Sequence, residues 1–168
     1  MKQLLYLLAG WWPQSPRVRS TRPKPLQWVR LVQYQLQYRV PASWTSVRHA
    51  TPTNLIITYF NADKTLKFST GKVWGAAAST TPAQALAHIA EQFEVALCHP
   101  TATAYRHLHF LEAKGTSHLN GQLRCCRALA AHHRGQVLLM YVSGPPEAFL
   151  AHQHEVELVL HSMAPYQE

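Results

Sequence analysis

The chain has 168 residues, 47% of them hydrophobic and 14% charged. That length suits a single domain with a proper core, and the apolar share excludes global disorder. The formal net charge of +8 comes entirely from the start of the chain: Lys2, Arg17, Arg19, Arg22, Lys24, Arg30, Arg39 and Arg48 all precede the first acid, Asp63, and from His49 onward bases and acids cancel.

Residues 1–26 read as a basic, Pro- and Trp-rich tail, and residues 27–168 as one domain with no internal repeat. Pro13, Pro16, Pro23 and Pro25 forbid a long helix in the tail. Its apolar run over residues 4–12 is too short to span a bilayer. Trp11, Trp12 and Pro13 stand where a signal peptide would carry its small-residue cleavage site, so a cleaved signal is not expected. Two readings of the tail stay open. Either Arg17, Arg19, Arg22 and Lys24 meet a polyanion, such as nucleic acid or an anionic membrane, with tryptophans as interfacial anchors, or the tail is an extension without a role.

Period-two alternation through Val32, Tyr34, Leu36, Tyr38 and Val40 predicts one strand over residues 28–40, stopped by Pro41 and followed by a turn carrying Trp44. Residues 55–60 form a β-branched and aromatic run. Asn61 and Asp63 supply turn chemistry, and residues 66–74 pair back as a hairpin. Thr81-Pro82-Ala83-Gln84 fits a capping box with proline at the first helical position. Leu86, Ile89, Phe93 and Leu97 follow at helical spacing, and Pro100 ends that helix. Residues 105–112, 119–130 and 137–142 predict a three-strand antiparallel meander, turned at Gly115 and again at His133-Arg134-Gly135. Gly144-Pro145-Pro146-Glu147 opens a last helix with Phe149, Val156, Val159, Leu160 and Met163 as its buried stripe. The predicted fold class is therefore α+β: an antiparallel sheet of about five to six strands with two main helices packed on it, a layered sandwich.

No catalytic constellation emerges. The chain has no nucleophile elbow, dinucleotide fingerprint or phosphate-cradling glycine loop. Cys98, Cys125 and Cys126 make neither a disulfide framework nor a zinc site, which favours a reducing compartment. Among the histidines, His107 and His109 are predicted to share a strand face, and His152 and His154 lie two apart on a helix; neither pair completes a ligand set. No metal, cofactor or enzymatic activity is expected.

Several short motifs resemble a known superfamily. Tyr38-Arg39-Val40-Pro41-Ala42-Ser43-Trp44 resembles the strand, Pro, turn, Trp opening of the PsbP-like and DcrB-like proteins, and Leu119-Asn120-Gly121 resembles their strand-opening turn. Gly135 to Ser143, Pro146-Glu147-Ala148-Phe149 and Val159-Leu160-His161-Ser162-Met163 are similar to their closing strand and helix. The likeness spans residues 34–164. It implies an antiparallel sheet flanked by helices and a mostly non-enzymatic role. One branch holds cytosolic chaperones and adaptors for type VI secretion effectors, which cover apolar effector segments. Another branch holds periplasmic or lumenal proteins; with no signal peptide or lipoprotein cysteine expected, the cytosolic branch is favoured, and with it a cytoplasmic protein-binding module that has an effector's apolar segment as client; a homodimer stays open. Such a client would lie on a sheet face lined by Leu55, Ile57, Tyr59, Leu139 and Tyr141, where burial returns about 25 cal/mol per Å² of apolar surface. The same five residues can instead be the domain's own core.

Overall fold

The computed structural model describes residues 25–51, 54–72 and 80–166. Residues 1–24 of the basic tail and the predicted end of the hairpin at Trp74 lie outside the described residues.

The described part begins with a hairpin where one strand was predicted. β1 (Leu26–Leu31) and β2 (Leu36–Pro41) pair antiparallel across a 3-10 turn at Val32–Tyr34, closed by Gln35 in the left-handed region at φ 47°. The burial shows why. Val29 and Leu31 are buried on the odd positions of β1, whereas Leu36, Tyr38 and Val40 are buried on the even positions of β2. A continuous strand cannot change parity and keep one face in the core.

β3 (Thr45–Thr51), which the sequence pattern did not predict, leaves the Trp44 turn and pairs with β4 (Asn54–Phe60). β4 turns through Asn61 and Asp63 into β5 (Lys67–Lys72). The turn chemistry is as expected: Asn61 Oδ1 accepts from Leu66 N at 2.8 Å, and Asp63 Oδ1 accepts from Thr65 Oγ1 at 2.7 Å. Then come α1 (Pro82–Gln92), β6 (Ala96–Leu97), β7 (Thr101–Tyr105), β8 (Leu108–Leu119), β9 (Gln122–His133), β10 (Gln136–Gly144), α2 (Pro146–Ala151), α3 (Gln153–His161) and β11 (Ala164–Pro165).

The strands form two sheets among the described residues. The large sheet has eight strands along the path β3-β4-β5-β10-β9-β8-β6, with β7 also on β8; the small sheet is β1-β2-β11. The strand pairings among the described residues are antiparallel throughout, so the α+β class stands. The predicted five to six strands are too few because the split of residues 28–40, the edge strand β3 and the short strands β6, β7 and β11 carry little alternation of their own. The last predicted helix is broken into α2 and α3 at His152, which sits at φ −109°, ψ 13°.

Gly115 does not turn the chain. It lies inside β8, where an added Cβ would come within 2.3 Å of Ala96 O on β6. The turn falls at Asn120 (φ 53°) and Gly121 (φ 76°), the pair of left-handed residues that a tight hairpin demands.

Three layers result. The small sheet, α2 and α3 cover one face of the large sheet, and α1 covers part of the other. The main core joins Val29, Leu36, Tyr38 and Val40 of the small sheet to Ile57, Phe68 and Met140 of the large one, and to Val159 and Leu160 of α3. Tyr38 bonds Thr70 Oγ1 at 2.8 Å and meets Phe68 and Tyr59 ring to ring. A buried polar knot ties α3 to the sheet. Arg127 Nε on β9 donates to Glu112 Oε1 on β8 at 2.6 Å, Nη1 donates to Glu157 Oε1 on α3 at 2.5 Å, and Nη2 donates to the Tyr105 hydroxyl.

Removing one partner of such a knot leaves the other charge buried and unpaired. Arg127→Met is expected to lower unfolding free energy by about 3–5 kcal/mol. The double variant Arg127→Met/Glu112→Leu should recover much of that loss, both read from urea midpoints. A double variant as unstable as the single one would contradict the account.

Candidate functional site

The candidate site is a groove on the face of the large sheet that carries α1. The helix starts as the sequence predicts: Thr81 Oγ1 accepts from Gln84 N at 3.2 Å, and Gln84 Oε1 accepts from Thr81 N at 2.8 Å, a complete capping box. Its buried side, Ala85, Leu86 and Ile89, rests on Ala113, Ala128, Ala130 and Val137. Those alanines let the helix lie close to β8 and β9. The helix then ends earlier than the predicted Pro100. Phe93 is its C-cap, Glu94 takes the left-handed region at φ 50°, and Leu97 belongs to β6.

That early end exposes Phe93, which keeps 47% of its surface accessible. Its ring stacks on Tyr141 with centroids 5.6 Å apart and planes 18° from parallel. Beside this pair the sheet runs on through β10, β5, β4 and β3 without further helix among the described residues. The result is a groove of about 540 Å³. Its lining includes Ile56, Thr58, Leu139, Tyr141 and Phe93, with Leu119 from the β8–β9 hairpin. Lys67, Lys72 and Arg124 also line it, and among the described residues no carboxylate does. The groove is therefore apolar in its floor and cationic in its charge.

Tyr141 marks the transition from core to groove. Burial first, then the neighbouring Cys126 sulfur, push its hydroxyl above the ordinary phenol range, so it stays neutral. Burial likewise raises the Cys126 thiol to about 12, against a lowering by its hydrogen bond to Tyr141. A thiol raised this far is a packing group rather than a nucleophile.

The five residues predicted to line one partner-binding face fall on two faces. Ile57 pairs with Thr70, and Thr70 with Met140, so these point to the main core; Leu139 pairs with Gly71 and points the other way. Ile57 and Tyr59 are buried beneath the small sheet and Leu55 packs against the same core. Leu139 and Tyr141 line the groove. Ile56, Thr58 and Phe93 are the groove residues that sequence reasoning missed. Arg17, Arg19, Arg22 and Lys24 lie outside the described residues. His107 sits in the turn between β7 and β8 and His109 within β8, so they do not share a strand as predicted. His152 lies between Asp63 and Glu155, 3.5 Å from each. Among the described residues, no group of three or more His, Cys, Asp or Glu side chains is arranged to hold a metal ion.

No protein-family model matches the sequence, and no curated protein does. Solved structures do match the fold. The solution structure of cyanobacterial PsbP (CyanoP) from Synechocystis sp. PCC 6803 aligns with a TM-score of 0.62 at 12% identity, covering 90% of this chain and 98% of that one. A crystal structure of a protein from Bacteroides thetaiotaomicron VPI-5482 aligns with a TM-score of 0.55 at 13% identity, covering 80% of this chain and 46% of that one. The fold is thus PsbP-like, in agreement with the likeness read from the short motifs.

The three cysteines give a direct check on this geometry. Cys98 is exposed, Cys125 half-buried and Cys126 buried. Alkylation with iodoacetamide near about pH 8 should modify Cys98 first and reach Cys126 only as the protein unfolds. Equal labelling of Cys98 and Cys126 in the native protein, read by peptide mass mapping, would contradict the packing of β9 under α1.

Proposed function

We propose that this protein is a non-enzymatic binding module whose groove covers an apolar segment of a partner protein. The observation that carries the reading is the Phe93–Tyr141 stack at the mouth of a groove with an apolar floor. An exposed aromatic ring stacked on a half-buried one beside an apolar cleft is the kind of feature that takes up a partner's side chains. The groove's lining adds a preference. With Lys67, Lys72 and Arg124 present and no carboxylate opposed to them, a segment flanked by Asp or Glu is favoured over one flanked by Lys or Arg.

Within the PsbP-like and DcrB-like proteins, this chemistry fits the branch of type VI secretion chaperones and adaptors, which cover apolar effector segments in the cytoplasm. The closing strand–helix motif, residues 135–163, supports the superfamily likeness, and the groove itself is what favours the finer assignment. The binding face differs from the one expected: Leu139 and Tyr141 remain in it, whereas Leu55, Ile57 and Tyr59 belong to the core.

The test uses two synthetic apolar helical peptides of about 20 residues that differ only in carrying Glu or Lys at both flanks. Fluorescence anisotropy should show the Glu-flanked peptide binding about tenfold more tightly at low salt, with the gap closing as salt is raised. Phe93→Asp, at an exposed position, should weaken binding of the Glu-flanked peptide by about tenfold or more. Equal affinity for the two peptides, or binding indifferent to Phe93→Asp, would remove the groove from the function.

A further inference from the structure

The charge of the groove is not evenly placed along its length. Strand register sorts the lining into rows. Leu139 of β10 pairs with Gly71 of β5, Tyr141 with Ser69, and Ser143 with Lys67. On the other side of β10, Tyr141 pairs with Ala128 of β9 and Ser143 with Cys126. Arg124 lies two residues from Cys126 on β9, which returns it to the same face of the sheet, and it pairs with Ser117 of β8. Lys67, Arg124, Ser117 and Ser143 therefore gather toward the β8–β9 hairpin, and all four line the groove. Lys72 stands apart. It lies about 17 Å from Lys67 along an extended strand. Its pairing partner is Leu138, a residue of the main core.

Tyr141 joins the apolar part of the groove to this end. Its ring stacks on Phe93, and its hydroxyl is in hydrogen-bonding reach of the Cys126 thiol and the Ser143 hydroxyl, with the Arg124 guanidinium close enough to act on it. Burial keeps that hydroxyl protonated, so it can donate as well as accept. Arg124 and Lys67 are both half-buried, and Ser143 is buried. Among the described residues neither cation has a carboxylate in ion-pair reach. Each cation alone would be explained by a stem lying along apolar surface with its head in water. Two cations of one sign drawn to the same end, beside hydroxyl donors and with no acid between them, make a place that an anion relieves.

We propose that this end of the groove is a carboxylate-binding corner. Arg124 and Lys67 supply the charge, and the Tyr141 and Ser143 hydroxyls supply hydrogen bonds. The apolar lining at Leu139 and Ile56 takes the chain that carries the carboxylate. This rests on the groove reading given above and gives it a direction: the acid belongs at one end of the bound segment, and an acid at the other end contributes little.

Octanoate and octanol probe the corner without a partner protein, since they share an apolar tail and differ in the carboxylate. Amide shifts of Lys67, Arg124 and Ser143 in the full chain should show octanoate binding about tenfold more tightly than octanol at low salt. Arg124→Gln and Lys67→Gln should each bring that ratio toward one. Arg134→Gln removes the same charge from the exposed β9–β10 turn and should keep the wild-type ratio. Circular dichroism confirms that each variant is folded. Among peptides of one apolar helical sequence with blocked ends, a single Glu should tighten binding about tenfold at one flank and little at the other. A free C-terminal carboxylate in place of that Glu tells a chain end from a side chain as the source. Octanoate bound no better than octanol, a preference that survives both Gln variants, or an equal loss in Arg134→Gln would overturn the corner. Equal gain from Glu at either flank would also overturn it and leave the groove reading standing. An octanoate preference without any peptide binding would instead remove the protein-segment reading and keep the corner as a site for small carboxylates.

Discussion

The large sheet is apolar on both faces, and α1 is too small to cover the face on which it lies. An eleven-residue helix is about 17 Å long and about 10 Å across with its side chains. The large sheet is seven strand positions wide, with β6 and β7 sharing one edge of β8, and at about 4.8 Å spacing it spans about 29 Å. The helix is seated on β8 and β9 by their alanines, and strands β3, β4 and β5 extend beyond it. The groove is the physical consequence of that mismatch in size. Its aromatic mouth follows from the helix ending at Gln92, which leaves Phe93 half out of the core and flat on Tyr141.

The opposite face shows what full coverage requires. It takes the small sheet, α2 and α3 together, and the joints are specific. Trp44 Nε1 donates to Glu155 Oε2 at 3.0 Å, Arg39 N donates to Ser162 Oγ at 2.7 Å, and Arg127 gathers Glu112, Glu157 and Tyr105. Every member of the Arg127 knot is satisfied by the others, so it is read as a fastening for α3 rather than as a reactive site. The contrast between a locked face and a partly open one directs attention to the groove.

Much of the fold was legible. The capping box located the start of α1 to the residue, and the turn chemistry of Asn61, Asp63 and Gly135 located two hairpins. The failures have physical causes. Between residues 28 and 40 the odd-to-even change of buried positions was present in Val29 and Leu31, but the longer even series concealed it. β3 was missed because it is an edge strand with Val47, Arg48 and His49 exposed, so it has no apolar alternation to read. α1 was extended too far because its end lacks glycine; Glu94 adopts the left-handed region that glycine usually marks. The candidate site was only half legible for a related reason. β10 is apolar on both faces, so periodicity could not tell whether Leu138 or Leu139 faces the groove. Choosing the phase of β4 against β10 needs the register, which no local pattern carries. The alanines at 128 and 130 were a usable signal that a helix approaches β9 closely, and with them the α1 face could have been identified.

The central claim is that an apolar segment with acidic flanks occupies the space between α1 and strands β4, β5 and β10. The most direct measurement is a map of backbone amide chemical shifts during titration with the Glu-flanked peptide. The account predicts that the largest changes cluster at Ile56, Ser69, Phe93, Leu139 and Tyr141, with β1 and β2 unmoved. Changes concentrated on β1 and β2, or spread evenly over the chain, would contradict it.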